Sequence, residues 1–117
     1  MDAVPSEADL LAALVALLDD RPCRTGKMFG HPALYLGRTM FACAYGAGIG
    51  LRVPAEIAAE AIDEGAAIRF QPHGRQAMRE WIELRPASLA DLASGRRLLL
   101  AAYDFAHQRS NNSGGQP

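Results

Sequence analysis

The amino-acid sequence predicts an α+β domain: a mostly antiparallel, five-stranded sheet covered by about three helices, in the order α-β-β-β-α-β-β-α. Three observations lead there. Leucines recur at helical spacing near the start, short apolar runs parted by glycine turns fill the middle, and a second leucine-rich helical stretch closes the chain. A meander followed by a hairpin makes antiparallel pairs, and amphipathic helices must cover such a sheet.

The first helix is expected from about Ser6 to Asp20. Ser6 is a good N-cap, Asp9 completes a capping-box-like pair, and Leu10, Leu11, Leu14, Leu17 and Leu18 form one face. Pro22 ends it. Gly26 and Gly30 flank a short strand or turn, with Met28 or Phe29 packed inside. Lys27 beside these glycines lacks the following Ser or Thr of a phosphate loop. Ala33–Leu36, Met40–Tyr45 and Ile49–Val53 then read as a three-stranded meander. Gly46, Gly48 and Gly50 are not a dinucleotide fingerprint, because the spacing is GxGxG and no helix starts directly behind it.

Pro54 suits the first turn of a second helix, with Ile57, Ala58, Ala61 and Ile62 inward and Gly65 just past its end. The acids Glu56, Glu60, Asp63 and Glu64 lie mostly off that stripe, as a solvated face. Ile68–Phe70 and the stretch from Met78 to Leu84 form a hairpin with a kinked connection holding Pro72 and Gly74. Ser88 and Asp91 open the last helix, whose face is Leu89, Leu92, Leu99, Leu100 and Tyr103, and Gly95 marks a kink or close contact. Residues 1–109 therefore read as one domain. The polar stretch 110–117 reads as a disordered tail.

Composition narrows the function. The 117 residues are half hydrophobic, and 12 Lys and Arg stand against 13 Asp and Glu. That balance leaves no basic excess, so direct nucleic-acid binding is expected to be weak or absent. No apolar run approaches the roughly 20 residues of a membrane span, and no signal-peptide pattern precedes the two cysteines. A cytoplasmic protein with reduced thiols is expected.

No catalytic constellation emerges. Cys23, His31, Cys43 and His73 are zinc-compatible types, but no two share the short ligand spacing of a structural site, so neither metal nor cofactor is expected. Cys43 lies in an apolar strand, where a thiol behaves as a small hydrophobe. The stronger candidate is a binding surface built from His31, Arg69, His73, Arg75, Arg79 and Trp81. Alternation puts Met78, Ile82 and Leu84 on one face of the second hairpin strand and Arg79, Trp81 and Glu83 on the other. The single indole then stands outside the main core, and Trp and Arg concentrate at binding hot spots. A purely structural role, with the indole covered by a helix or by arginine stems, is the competing reading. Phe70 is expected on the core face.

Lys27-Met28-Phe29-Gly30, the hairpin around Met40-Phe41-Ala42, and Phe70 with Pro72, Gly74, Arg75, Met78 and Trp81 resemble the N-terminal domain of TfoX/Sxy proteins. The resemblance spans roughly Lys27 to Trp81, with a fitting helix on each side. It implies an α+β domain with no catalytic residues to transfer. Family members include regulators of bacterial competence genes thought to act with a transcription activator. The chain ends soon after its last helix, without the second domain of the full-length regulators, so a stand-alone domain is expected. The leading expectation is a non-catalytic interaction domain with a protein partner, such as a transcription regulator. The alternative is a small-molecule-binding protein or minor enzyme with a pocket near the 70–81 hairpin, lined by His31, His73 and Arg75.

Overall fold

A computed structural model describes residues 5–71 and 79–114, with side chains through residue 109. Helix α1 (Glu7–Leu17) begins where the capping box requires: Ser6 Oγ accepts from the Asp9 amide at 3.1 Å, and Asp9 Oδ2 accepts from the Ser6 amide at 3.2 Å. It stops before Pro22, because Asp19 turns left-handed (φ 57°) and breaks the helical path. Leu10, Leu14 and Leu18 are buried, as the leucine spacing predicts.

Four strands follow: β1 (Arg24–Met28), β2 (His31–Leu36), β3 (Thr39–Tyr45) and β4 (Gly48–Arg52). Strand β1 raises the count from the expected five to six. Its polar sequence hid it, since Arg24, Thr25 and Lys27 are exposed on an edge strand where nothing forces alternation. A two-residue turn joins it to β2, with Phe29 at φ 51° and Gly30 at φ 83°. Both central residues thus take the left-handed values that match hairpin twist. Met28 is half-buried, whereas Phe29 is 69% exposed at the turn.

Helix α2 (Ala55–Asp63) starts after Pro54, and Gly65 takes φ 79° just past its C-cap, Glu64. The short strand β5 (Ile68–Arg69) then pairs with β6 (Trp81–Leu84). The sheet order is β1-β2-β3-β4-β6-β5, so β6 inserts between β4 and β5. That insertion sets the cross-strand pairs on β4: Ile49 lies opposite Leu84 and Leu51 opposite Ile82. Ser88 caps a single turn, α3 (Leu89–Leu92), which passes through a 3-10 turn (Ala93–Gly95) into α4 (Arg96–Gly114). The expected kink at Gly95 is this 3-10 turn, and a Cβ there would lie 2.8 Å from Leu84 Cδ1. Helix α4 extends to Gly114, so the polar stretch from 110 falls partly within it, and 115–117 lie outside the described residues.

All four helices contribute to one core, with Leu34, Phe41, Ala42, Ile49, Leu51, Ile82 and Leu84 from the sheet. The opposite sheet face carries a second, smaller core: Ala33, Cys43, Phe70 and Trp81, flanked by Met28, Tyr35, Met40 and Tyr45. Among the described residues no helix belongs to it. Small residues make its floor, since Gly26, Ala33, Cys43 and Gly50 sit in register across four strands. A Cβ on Gly50 would lie 3.0 Å from Phe70 Cζ and 2.9 Å from Cys43 Sγ. Glycine there lets the phenyl ring settle onto the sheet.

Two expectations are corrected here. Phe70 belongs to this second core and not to the helix-side core. Trp81 does face away from Ile82 and Leu84, as alternation requires, but it is only 8% exposed. Phe70 lies against it at 5.5 Å between ring centroids, and Arg52, Arg79 and Ala55 of α2 line the depression beside it.

Candidate functional site

Three of the six sequence-selected residues meet at one end of the sheet. Arg69 ends β5, Arg79 stands in the turn before β6, and Trp81 opens β6. Between α2 and these strand ends run two contiguous depressions that share Ala55 and Arg79. The first, about 360 Å³, has Ala58, Ala59 and Ile62 as an apolar wall facing Arg69 and Arg79. The second, about 480 Å³, is bounded by Arg52, Glu80 and Trp81. Helical spacing explains the wall, because Ala55, Ala58, Ala59 and Ile62 fall at i, i+3, i+4 and i+7.

The charges are unequal in their commitments. Arg52 holds Glu80 through Nη2 at 3.0 Å and Nε at 3.3 Å. Arg69 and Arg79 are exposed, and no hydrogen bond or ion pair among the described residues engages either. Guanidinium groups stay protonated at any physiological pH and present five donors in a planar fork. The groove can therefore hold a carboxylate or phosphate, but its arginines cannot exchange protons with a substrate.

His31 stands apart. Its Nδ1 lies 2.8 Å from Glu7 Oε2, and its ring lies 4.6 Å from that of Tyr45. Glu7 Oε2 also accepts the Gly46 amide at 2.7 Å, tying α1 to the β3–β4 turn. Ring contacts then continue across the second face, Tyr45 to Phe70 at 5.9 Å and Phe70 to Trp81 at 5.5 Å. His31 and Trp81 thus end one aromatic row without lining one groove. His73 and Arg75 lie outside the described residues.

The Gly46 amide, opposed by desolvation and assisted by His31, holds the Glu7 carboxyl below its ordinary 4.5. A depressed folded-state pKa contributes stability above the unfolded value and loses it as pH falls through the folded one. Melting temperatures between pH 7 and pH 3 should therefore fall more steeply for the natural chain than for Glu7→Gln, with the natural chain's advantage shrinking and the curves converging below about pH 4.5. Parallel curves would show that this tie adds nothing. The Cys43 thiol, fully buried, is pushed up to about 11 chiefly by desolvation, so it is not a nucleophile at neutral pH.

Sequence reasoning missed Arg52, Glu80 and the alanine wall. Arg52 precedes the Val53-Pro54 boundary, and a charged residue at a strand end beside a helix start is the signal that pointed to it. The alanines carry no such signal, because small residues at helical spacing read first as core. Glu7 was equally hidden, as one acid in a first helical turn.

Fold and site together define a small two-layer α+β domain with an arginine-flanked groove beside its second helix. The chain matches the TfoX N-terminal domain over residues 13–106 and belongs to that family. No curated protein and no solved structure matches it. Among the described residues no helix is long and apolar enough to cross a membrane, and no three His, Cys, Asp or Glu side chains gather as a metal site would require.

Proposed function

We propose that the chain is a non-catalytic, cytoplasmic interaction domain that works through a protein partner, such as a transcription regulator of the competence type. The observation that carries this reading is the meeting of Arg69, Arg79 and the edge of Trp81 at one groove held by α2 and two paired strands. Arginine and tryptophan supply a large share of binding energy at protein interfaces, and rigid elements lower the entropic cost of presenting them. Family membership supports the same reading. So does the net charge of −1, which disfavours the phosphate backbone of nucleic acid as the main target.

The test is in-cell crosslinking of the tagged chain, identification of what it holds, and calorimetry with both proteins purified. A reconstituted complex with Kd near or below about 10 μM is expected, in the range of transient regulatory contacts. The groove volumes also suit a small ligand. A metabolite screen read by amide chemical shifts addresses that second reading. Compact shifts around Arg79 and Trp81 with one metabolite, and no reconstituted partner, would overturn the proposal.

A further inference from the structure

We infer that the groove between α2 and the strand ends takes an acidic peptide segment, with two carboxylates reaching Arg69 and Arg79 and a small apolar residue seated on the alanine wall. This rests on the interaction-domain reading above and deepens it by naming the chemistry of the partner. Three features of the groove agree. Its two exposed guanidiniums have no partner among the described residues, although five other basic side chains do: His31, Arg52, Arg85, Arg96 and Arg97 each face an acid within 4.0 Å. Of the other arginines without an acid among the described residues, Arg21 and Arg24 are engaged on backbone carbonyls, whereas Arg69 and Arg79 face one depression together. Between the two arginines the wall is largely alanine and isoleucine, which offers apolar contact, and Asp63 at the end of α2 lines the same depression.

The third feature concerns shape and sign. The outer side of α2 exposes Glu56, Glu60 and Glu64, and Asp63 stands at the groove's own margin, so the two arginines lie beside an acidic ridge. A nucleic acid carries a continuous line of phosphates and would meet that ridge wherever it left the groove. A short segment with only two or three carboxylates matches the arginines and ends before the ridge. Like charges placed against a wrong partner give selectivity as well as the attractive pair gives affinity. The combined volume suits a few side chains and not a folded surface.

The experiment uses the full chain, immobilised, and a displayed library of random peptides of about 12 residues. Selected peptides are then synthesised, and their Kd values measured by fluorescence anisotropy at two salt concentrations. The variants are Arg69→Glu with Arg79→Glu, and Arg97→Glu as a single charge-reversal control outside the groove. Circular dichroism confirms that each is folded. Because both arginines are exposed, the double change is expected to leave the fold intact. The expected result is enrichment of peptides holding at least two acids, losing about thirtyfold or more in affinity on the double variant and little on Arg97→Glu. Added salt should weaken them as well.

Neutral or basic winners, acidic winners that bind the double variant equally, or no enrichment at all would each overturn the inference. A 30-base-pair DNA duplex is measured beside the peptides. Tighter binding to it that depends on the same two arginines would assign the groove to nucleic acid instead. If a reconstituted protein partner binds the double variant unchanged, the interaction-domain reading survives and only this surface fails. If neither partner nor peptide binds, both fail.

Discussion

Phe70→Ala is expected to cost about 3–5 kcal/mol of unfolding free energy, the range for emptying a buried aromatic site. The ring is 1% exposed, lies directly on Gly50, and touches Tyr45 on one side and Trp81 on the other. Nothing small can collapse into the space it leaves, because the sheet beneath is held by backbone pairing through Cys43 and Gly50. Trp81→Ala should be costly on the same scale, since only 8% of the indole meets solvent. The pair should also be coupled by about 0.5–1.5 kcal/mol, because each variant removes the same ring contact. Denaturant melts of both single variants and the double variant measure this. If Trp81→Ala proves nearly neutral while Phe70→Ala is severe, the indole is a surface group and the second core is Phe70 alone. Should both cost under about 1.5 kcal/mol, the second face contributes little to stability.

Phe41→Ala carries an expected loss of the same size on the opposite face, about 3–5 kcal/mol. Leu34 pairs with Ala42 while Tyr35 pairs with Met40, so Phe41 is an extra residue on β3. That bulge turns both Phe41 and Ala42 toward the helices, where simple alternation would have sent one of them to the other face. Phe41 meets Tyr103 of α4 edge-on at 5.5 Å and is completely buried. Tyr103→Phe separates the contributions, because it keeps the ring and removes only the hydroxyl that donates to the Pro22 carbonyl at 2.8 Å. It should cost about 1 kcal/mol, the net worth of an ordinary hydrogen bond. A Phe41→Ala variant as stable as Tyr103→Phe would mean that α4 repacks freely onto β3, contrary to the bulge geometry.

Much of the fold was legible because its signals are local. Ser6 with Asp9 and Ser88 with Asp91 cap their helices through contacts three residues apart, and Gly65 closes α2 with a positive φ. Leu10, Leu14 and Leu18 of α1 and Leu92, Leu99 and Tyr103 of the last helical stretch are buried where their spacing put them, whereas Leu89, expected on the same face, is 45% exposed. The strand count was not legible, because β1 is an edge strand with a polar sequence. Of the candidate binding residues, Arg69, Arg79 and Trp81 converge and His31 does not. His31 is drawn instead to Glu7, 24 positions away, and no periodicity in the sequence links the two.

The sequence by itself determined the α+β class, where the helical stretches begin and the family, since capping, turn chemistry and amphipathic spacing act over a few residues and do not depend on the rest of the chain. It also determined that Trp81 and Ile82 point to opposite faces, because alternation is a property of one strand. Only the tertiary structure decided what those faces meet. Ile82 joins the core beneath the helices, while Trp81 joins a second core that exists because Gly50 of β4 leaves room for a ring arriving from beyond β5. Whether a large side chain on the outer face is exposed or buried depends on neighbours brought in from distant strands, and that is a matter of three-dimensional packing which one strand's pattern does not contain.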